Sequence, residues 1–139
     1  MADFDLVVQG GSVLDGTGSE ACNADIAVRD GLIVEVGDVS GSATRTIDAS
    51  GALVIPGIVD IHFHVRAPAY PERGTVLSET SAAAAGGVTT LFEMPISKPC
   101  CSTPEELARR HNHFSENSVI DFALYAAPGD LTKASRDKM

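Results

Sequence analysis

The second half of the chain alternates strand-like apolar segments with helix-like segments, and this order restricts the folds that the chain can adopt. The predicted elements are strands at 54–65, 88–95 and 118–127 and helices at 75–87, 102–114 and from 128 onwards. Strand, helix, strand, helix, strand is the order that forms a parallel sheet with helices packed on it. We therefore predict an α/β fold for residues 54–139.

The helix at 102–114 has the clearest start signal in the sequence. Thr103 is a suitable N-cap residue, Pro104 stands at the first helical position, and Glu106 completes the pattern of a capping box. The helix at 75–87 is instead predicted from its run of alanines and the two glycines that follow them. Both helices are expected to connect neighbouring parallel strands.

The first 53 residues have a different pattern, in which short apolar strands are separated by turn residues. The turn residues occur as the pairs Gly10-Gly11, Asp15-Gly16, Asp30-Gly31 and Ser50-Gly51. We expect the chain to reverse direction at these pairs, most clearly in "VRDGLI", where Asp-Gly lies between β-branched residues. The sequence predicts a small all-β unit at residues 1–53, followed by the α/β unit at 54–139.

The first strand of the α/β unit continues into Arg66 and has polar and apolar side chains at alternate positions of "VDIHFHVR". Successive side chains on a strand point to opposite faces, so the sequence predicts one polar face and one apolar face. We expect the apolar face to pack beneath the helices. The polar residues are Asp60, His62, His64 and Arg66, and the apolar residues are Val59, Ile61, Phe63 and Val65.

The two histidines of this strand are candidate metal ligands. Imidazoles at positions i and i+2 have Cα atoms about 7 Å apart and can converge on one ion. Asp60 can support a ligand from outside the coordination sphere or reach the neighbouring strand. The alternative is a chance His-x-His pair on a half-exposed strand. Burial of four polar groups without partners is costly, whereas a cation and an anionic ligand remove that cost.

Several segments of the chain together resemble a known family. The succession "DLVVQGGSVLDGTG", "ADIAVRDGLIVEVGD", "PGIVDIHFHVR" and "AAAAGGVTTLFEMP" is similar to the N-terminal third of the amidohydrolase superfamily, in its cyclic-amidase branch of dihydroorotases, allantoinases and hydantoinases. The similarity runs from about Asp5 to Tyr125. It implies a truncated metal-dependent (β/α)8 TIM barrel, with fewer than three of the eight βα units present. Part of a small β-sandwich, which both chain termini build, precedes this barrel.

The resemblance also assigns roles to residues. It implies that His62 and His64 bind a divalent metal, usually zinc, with one or two ions in the complete enzyme. The implied reaction is hydrolysis of a C–N bond in a small cyclic amide. The family's bridging lysine, further histidines and general-base aspartate come from later strands and have no counterpart in this chain. Lys133 precedes the lysine position, and His111 and His113 lie on a predicted helix, where positions i and i+2 diverge. We expect these three residues on the surface.

The resemblance leaves the substrate open among three enzyme types. Arg66 resembles the arginine with which dihydroorotases hold the substrate carboxylate, and the alternative is a loop residue paired with a nearby acid. Ile96 stands where dihydroorotases commonly have asparagine after Met-Pro, and Glu93 in "EMP" is closer to allantoinases. We expect dihydroorotase-like activity, with allantoinase or hydantoinase specificity as the alternatives.

Two hypotheses from other classes stand beside the enzyme. One is a non-catalytic scaffold descended from such an enzyme, for which loss of the histidine pair is the expected sign, although both histidines are present. The other is one half of a split enzyme that a complementing C-terminal polypeptide completes. The resemblance also implies a homo-oligomer, since full-length relatives in this family often form dimers or tetramers. With only two metal ligands, the chain alone is expected to bind zinc weakly and to be inactive.

Composition restricts the partners and the location of the protein. Ten basic and nineteen acidic residues give a net charge of −9, and no local basic cluster occurs, so we expect no nucleic acid or membrane partner. No apolar run reaches the roughly 20 residues of a membrane span, and "MADFDLVV" lacks the basic region of a secretory signal. We therefore expect a cytoplasmic protein.

Overall fold

The computed structural model describes residues 2–127, which belong to two compact units. The first unit is Met1–Pro56 and the second is Gly57–Met139. Residues 128–139, which include Lys133 and the predicted third helix, lie outside the described residues. None of the helices within residues 2–127 is long and apolar enough to cross a membrane.

The first unit is a mixed sheet of five strands. β1 is Phe4–Val13, β2 is Cys22–Arg29, β3 is Leu32–Gly37, β4 is Ala43–Asp48 and β5 is Leu53–Val54. The strand order is β3-β2-β1-β4, with β5 paired to the end of β1. β2 is antiparallel to β1 and β3, whereas β4 and β5 are parallel to β1. The prediction that the first unit is all-β agrees with these strands.

In this unit the turn predicted at Asp30-Gly31 forms, whereas the one predicted at Gly10-Gly11 is replaced by a bulge. Asp30 and Gly31 have φ values of 52° and 74° and join β2 to β3, as the hairpin signal predicts. Gly10 lies inside β1 instead, with a φ of 74°, at a register shift between Val8 and Gly11. The predicted reversal at Gly10-Gly11 is wrong, because a glycine at positive φ forms a β-bulge without ending the strand.

The second unit is a three-stranded parallel sheet with two helices. β6 is Ile58–Phe63, α1 is Val76–Ala85, β7 is Val88–Glu93, α2 is Pro104–Asn117 and β8 is Asp121–Leu124. The strand order is β6-β7-β8, and both strand pairs are parallel. The predicted alternation of strands and helices is confirmed over the described part of the chain. Each strand is shorter than predicted.

The helices cover only part of this sheet. α1 packs against β7, and α2 packs against β8. The buried core residues are Val65, Ala67, Val76, Leu91 and Phe114. The prediction that Val59 and Ile61 pack beneath the helices is wrong, because no helix within residues 2–127 covers this part of β6. Their side chains are 54% and 65% exposed.

Side chains cap the start of both helices. At α1, Thr75 and Ser78 form a reciprocal capping box that the sequence analysis missed. At α2, Thr103 accepts a hydrogen bond from the N–H of Glu106 at 3.2 Å. The prediction that the Glu106 side chain completes a capping box, by accepting a hydrogen bond from the N–H of Thr103, is wrong. Glu106 Oε1 accepts a hydrogen bond from Arg109 instead, at 2.9 Å, and Glu106 Oε2 has no partner among the described residues.

We expect Thr103→Ala to lower the free energy of unfolding by about 1 kcal/mol, because the N–H of Glu106 loses its acceptor. Urea denaturation followed by circular dichroism measures the change. Ser102→Ala is the matched control, since Ser102 precedes the cap and its side chain makes no hydrogen bond with residues 2–127. An equal loss in both variants would argue against the cap.

Candidate metal centre

The histidine strand is shorter than predicted, which changes the geometry of the polar residues. β6 ends at Phe63, whose carbonyl accepts a hydrogen bond from the N–H of Met94 at 2.8 Å. His64 and Arg66 lie in the segment after the strand, and Arg66 has a φ of 63°, in the left-handed region that non-glycine residues rarely adopt. The prediction that four polar residues share one strand face is therefore wrong beyond His62, because the strand alternation ends at Phe63.

The structure nevertheless brings the two histidine rings together. The ring centroids of His62 and His64 are 5.2 Å apart, in an edge-on arrangement. His62 is exposed and His64 is half-buried. Burial, together with the nearby charges of Arg66 and His62, lowers the pKa of His64 and so favours the neutral imidazole, which is the metal-binding form. This arrangement fits two nitrogen donors to one metal ion.

Asp60 is half-buried and contacts the main chain of its own strand. Its Oδ1 accepts a hydrogen bond from the N–H of His62 at 2.9 Å. Within the described residues it makes no hydrogen bond to β7, so the predicted bridge to the neighbouring strand is not formed there. The Asp60 carboxylate thus fixes the backbone at His62 rather than either imidazole ring.

Arg66 is half-buried, and its backbone is held by a turn. The carbonyl of Arg66 accepts a hydrogen bond from the N–H of Tyr70 at 3.2 Å. Its guanidinium makes no hydrogen bond or ion pair with residues 2–127, although its charge favours the ionised form of the Glu93 carboxylate. The role of Arg66 in holding a substrate carboxylate stays a prediction.

Glu93 lies beside this site, at the end of β7, and was not predicted from the sequence to be one of its residues. It is 2% exposed, and its Oε2 accepts a hydrogen bond from the N–H of Val65 at 2.8 Å. Its Oε1 lies 3.5 Å from Nη1 of Arg110. Burial raises the pKa of Glu93, while the Val65 N–H and the Arg110 charge oppose the rise. The feature of the sequence that could have identified Glu93 is an acidic residue at the end of the apolar strand "VTTLFE", because a buried carboxylate needs partners.

The two histidines of α2 are not part of the His62–His64 pair. The ring of His111 packs against Phe122 at a centroid distance of 5.4 Å, and His111 is exposed, as predicted. His113 is half-buried rather than fully on the surface. Within residues 2–127, no group of three or more His, Cys, Asp or Glu side chains is placed to hold a metal ion. His62 and His64 therefore supply two donors and not a complete coordination shell.

A comparison with protein-family models decides the family. The dihydro-orotase-like model matches residues 51–128, which is more than half of the chain. The chain belongs to the dihydroorotase-like family. The cyclic-amidase resemblance that the sequence predicts is confirmed by this match.

Relatives and a solved structure agree with the family. A dihydroorotase of Shouchella clausii is 38% identical over 123 residues, which are 88% of this chain and 28% of that protein. An allantoinase of Desulfitobacterium hafniense is 36% identical over 141 residues, which cover 100% of this chain and 30% of that protein. The solved L-hydantoinase of Arthrobacter aurescens is 35% identical, with a TM-score of 0.80. The match covers 91% of this chain and 29% of the L-hydantoinase chain.

These relatives are cyclic amidohydrolases, and their names repeat the three substrate types that the sequence leaves open. The chain spans about 30% of the length of the relatives that it matches. The fold of the described residues is a mixed α/β arrangement that matches hydantoinase structures.

Proposed function

We propose that this chain provides part of the active site of a metal-dependent cyclic amidohydrolase, in which His62 and His64 are two of the metal ligands. The observation that carries the proposal is the pairing of their rings, 5.2 Å apart, in a chain of the dihydroorotase-like family. Two imidazoles suit zinc, which is the divalent ion that we propose. The further ligands would come from residues outside 2–127, in a longer or complementing polypeptide.

The proposed roles of the surrounding residues follow from their contacts. The ion, when bound, supplies a charge that polarises the amide carbonyl and lowers the pKa of a water molecule. His62 and His64 would hold it, and Asp60 would keep the backbone of His62 in place through the hydrogen bond to the His62 N–H. Arg66 would bind an anionic group of the substrate with its free guanidinium.

The architecture that we propose around the site is a (β/α)8 barrel preceded by a β-sandwich. The parallel order β6-β7-β8, with α1 and α2 as the connections, has the pattern of successive barrel units. The likeness to the L-hydantoinase structure supports the same arrangement. Helices of further barrel units would cover the exposed residues Val59 and Ile61 of β6.

Arg66 favours dihydroorotate among the three candidate substrates. Dihydroorotate has a carboxylate, which a guanidinium binds with paired hydrogen bonds, whereas allantoin and simple hydantoins have none. Glu93, whose identity is closer to allantoinases, is buried against Val65 and Arg110 and does not distinguish the substrates by contact. Ile96, at the position of the dihydroorotase asparagine, keeps allantoinase and hydantoinase specificity as alternatives.

A zinc titration of the chain, followed by NMR of the histidine rings, tests the metal site. We expect the ring nitrogen resonances of His62 and His64 to shift together, because both rings are close enough to share one ion. His111 and His113 serve as internal controls on α2 and should not shift over the same range. Unchanged His62 and His64 resonances at millimolar zinc would count against the proposal.

The 139-residue chain alone is expected to show no turnover of dihydroorotate, allantoin or hydantoin. Two histidines leave a zinc ion without the three protein ligands that a catalytic site holds, and no third ligand lies within residues 2–127. Ring opening is measured by chromatography after incubation with zinc. Turnover by the purified chain, lost on chelation, would contradict this expectation.

A further inference from the structure

The Glu93 carboxylate lies against the segment that follows the histidine strand. Its Oε2 accepts the hydrogen bond of the Val65 N–H at 2.8 Å, inside the protein. Val65 stands between His64 and Arg66 in the chain, and its own side chain is buried in the core of the second unit. One carboxylate oxygen therefore fixes the peptide that joins a proposed metal ligand to a proposed substrate-binding residue.

The carboxylate is itself held from the other side. Arg110 on α2 places Nη1 at 3.5 Å from Glu93 Oε1 and donates from Nη2 to the carbonyl of Pro99 at 3.2 Å. The side chains of Glu93 and Arg110 are each 3% exposed. The carbonyl of Glu93 also accepts the N–H of Tyr125 at 3.0 Å. Glu93 is thus fixed by α2 and by the segment after β8.

The segment that Glu93 holds needs an external restraint. Arg66 is a non-glycine residue at a φ of 63°, a conformation that costs about 1 kcal/mol or more and persists where surrounding contacts impose it. The Val65 N–H, which donates to Glu93 Oε2 at 2.8 Å, supplies such a contact and favours the ionised form of Glu93.

We propose that Glu93 is a positioning residue, which holds the peptide between His64 and Arg66 and thereby sets the position of His64 beside His62. Arg110 keeps the Glu93 carboxylate in place for this task. The metal-binding consequence rests on the proposed function, whereas the positioning of the backbone does not. A merely structural role, in which the buried ion pair only stabilises the fold, is the alternative.

Glu93→Gln in the full chain tests the positioning role, because the side chain keeps its length and loses its charge. We expect amide hydrogen exchange at Val65 to become about tenfold faster, since the hydrogen bond to a charged acceptor weakens. We also expect the ring resonances of His64 to move and the zinc affinity to fall about 10–100-fold, the usual effect of losing a residue that supports a ligand. Glu116→Gln, which removes an exposed carboxylate of α2, is the matched control and should change none of these.

The double variant Glu93→Met/Arg110→Met separates positioning from stability. Exchange of a buried ion pair for apolar side chains leaves no unpaired charge, so the double variant is expected to lose less stability than Arg110→Met, with the remaining loss coming from the Val65 N–H and the Pro99 carbonyl. Its zinc affinity should be at least as low as that of Glu93→Gln, because a methionine at position 93 offers the Val65 N–H no oxygen acceptor. Wild-type zinc affinity in the double variant would show a merely structural role and overturn the proposal.

Hydrogen exchange at the Val65 amide tests the positioning role independently of the metal. Unchanged Val65 exchange and His64 resonances in folded Glu93→Gln would overturn it. If the wild-type chain binds no zinc at His62 and His64, the proposed function fails, while faster Val65 exchange and moved His64 resonances in Glu93→Gln would still support the positioning by Glu93. If Glu93→Gln does not fold, Glu93→Asp, which keeps the charge and shortens the reach, gives the same comparison.

Discussion

Replacement of both His62 and His64 by alanine is expected to abolish zinc binding by this chain. Their rings lie 5.2 Å apart, and no group of three or more potential ligands exists elsewhere within residues 2–127. Each single replacement should weaken binding about tenfold or more, which corresponds to about 1.4 kcal/mol of binding free energy per factor of ten. Competition with a chromophoric chelator at equilibrium measures the affinity of the wild type and of each variant.

The control for this prediction removes the same number of imidazoles from α2. His111→Ala/His113→Ala should retain the wild-type zinc affinity, because the His111 ring packs against Phe122 and neither residue belongs to the His62–His64 pair. Zinc affinity that falls equally in the two double variants would mean that the chain binds the ion non-specifically. Undiminished binding after loss of His62 and His64 would place the metal at other residues.

Arg110→Met is expected to cause the largest loss of stability, about 3–5 kcal/mol at neutral pH, because it leaves the Glu93 carboxylate buried without its cation. Both side chains are 3% exposed, so water cannot replace the lost partner. The carbonyl of Pro99 loses a donor as well. Urea denaturation followed by circular dichroism at pH 7 gives the change in the free energy of unfolding.

The loss in Arg110→Met should depend on pH in a definite direction. Burial already raises the pKa of Glu93 above its ordinary value of 4.5, and removal of the Arg110 charge removes one influence that lowers it. A carboxyl group whose pKa is raised in the folded protein binds protons more tightly there than in the unfolded chain. Stability therefore falls as the pH rises from about 4.5 through the raised pKa. The deficit of the variant should be smaller at pH 4.5 than at pH 7.

Arg109→Met is the matched control for both measurements. Arg109 is the neighbouring arginine on α2, but its side chain is 74% exposed and pairs with Glu106 near the surface. Exposed pairs of this kind contribute about 0–1 kcal/mol, so we expect a small change without the pH dependence of Arg110→Met. Equal losses in the two arginine variants would show that burial of the Glu93–Arg110 pair is not the cause.

The sequence predicted the order of elements well, because that order follows from short-range patterns. The N-cap at Thr103, the turn at Asp30-Gly31 and the apolar segments each depend on residues within a few positions of one another. The alternation of side chains on β6 failed where the strand ended. No pattern in "VDIHFHVR" marks Phe63 as the last strand residue, and the end depends on how far β7 pairs with β6.

The sequence by itself determined the family, the parallel α/β unit and the two candidate ligands His62 and His64, since each follows from residues that are close together in the chain. The tertiary structure alone decided that β6 ends at Phe63, between the two histidines. It also decided that Glu93, 28 residues from Val65, holds the peptide between His64 and Arg66. Such contacts depend on how β7 and α2 pack against residues 62–66. A local sequence pattern does not indicate which residues, distant in the chain, this packing brings into contact.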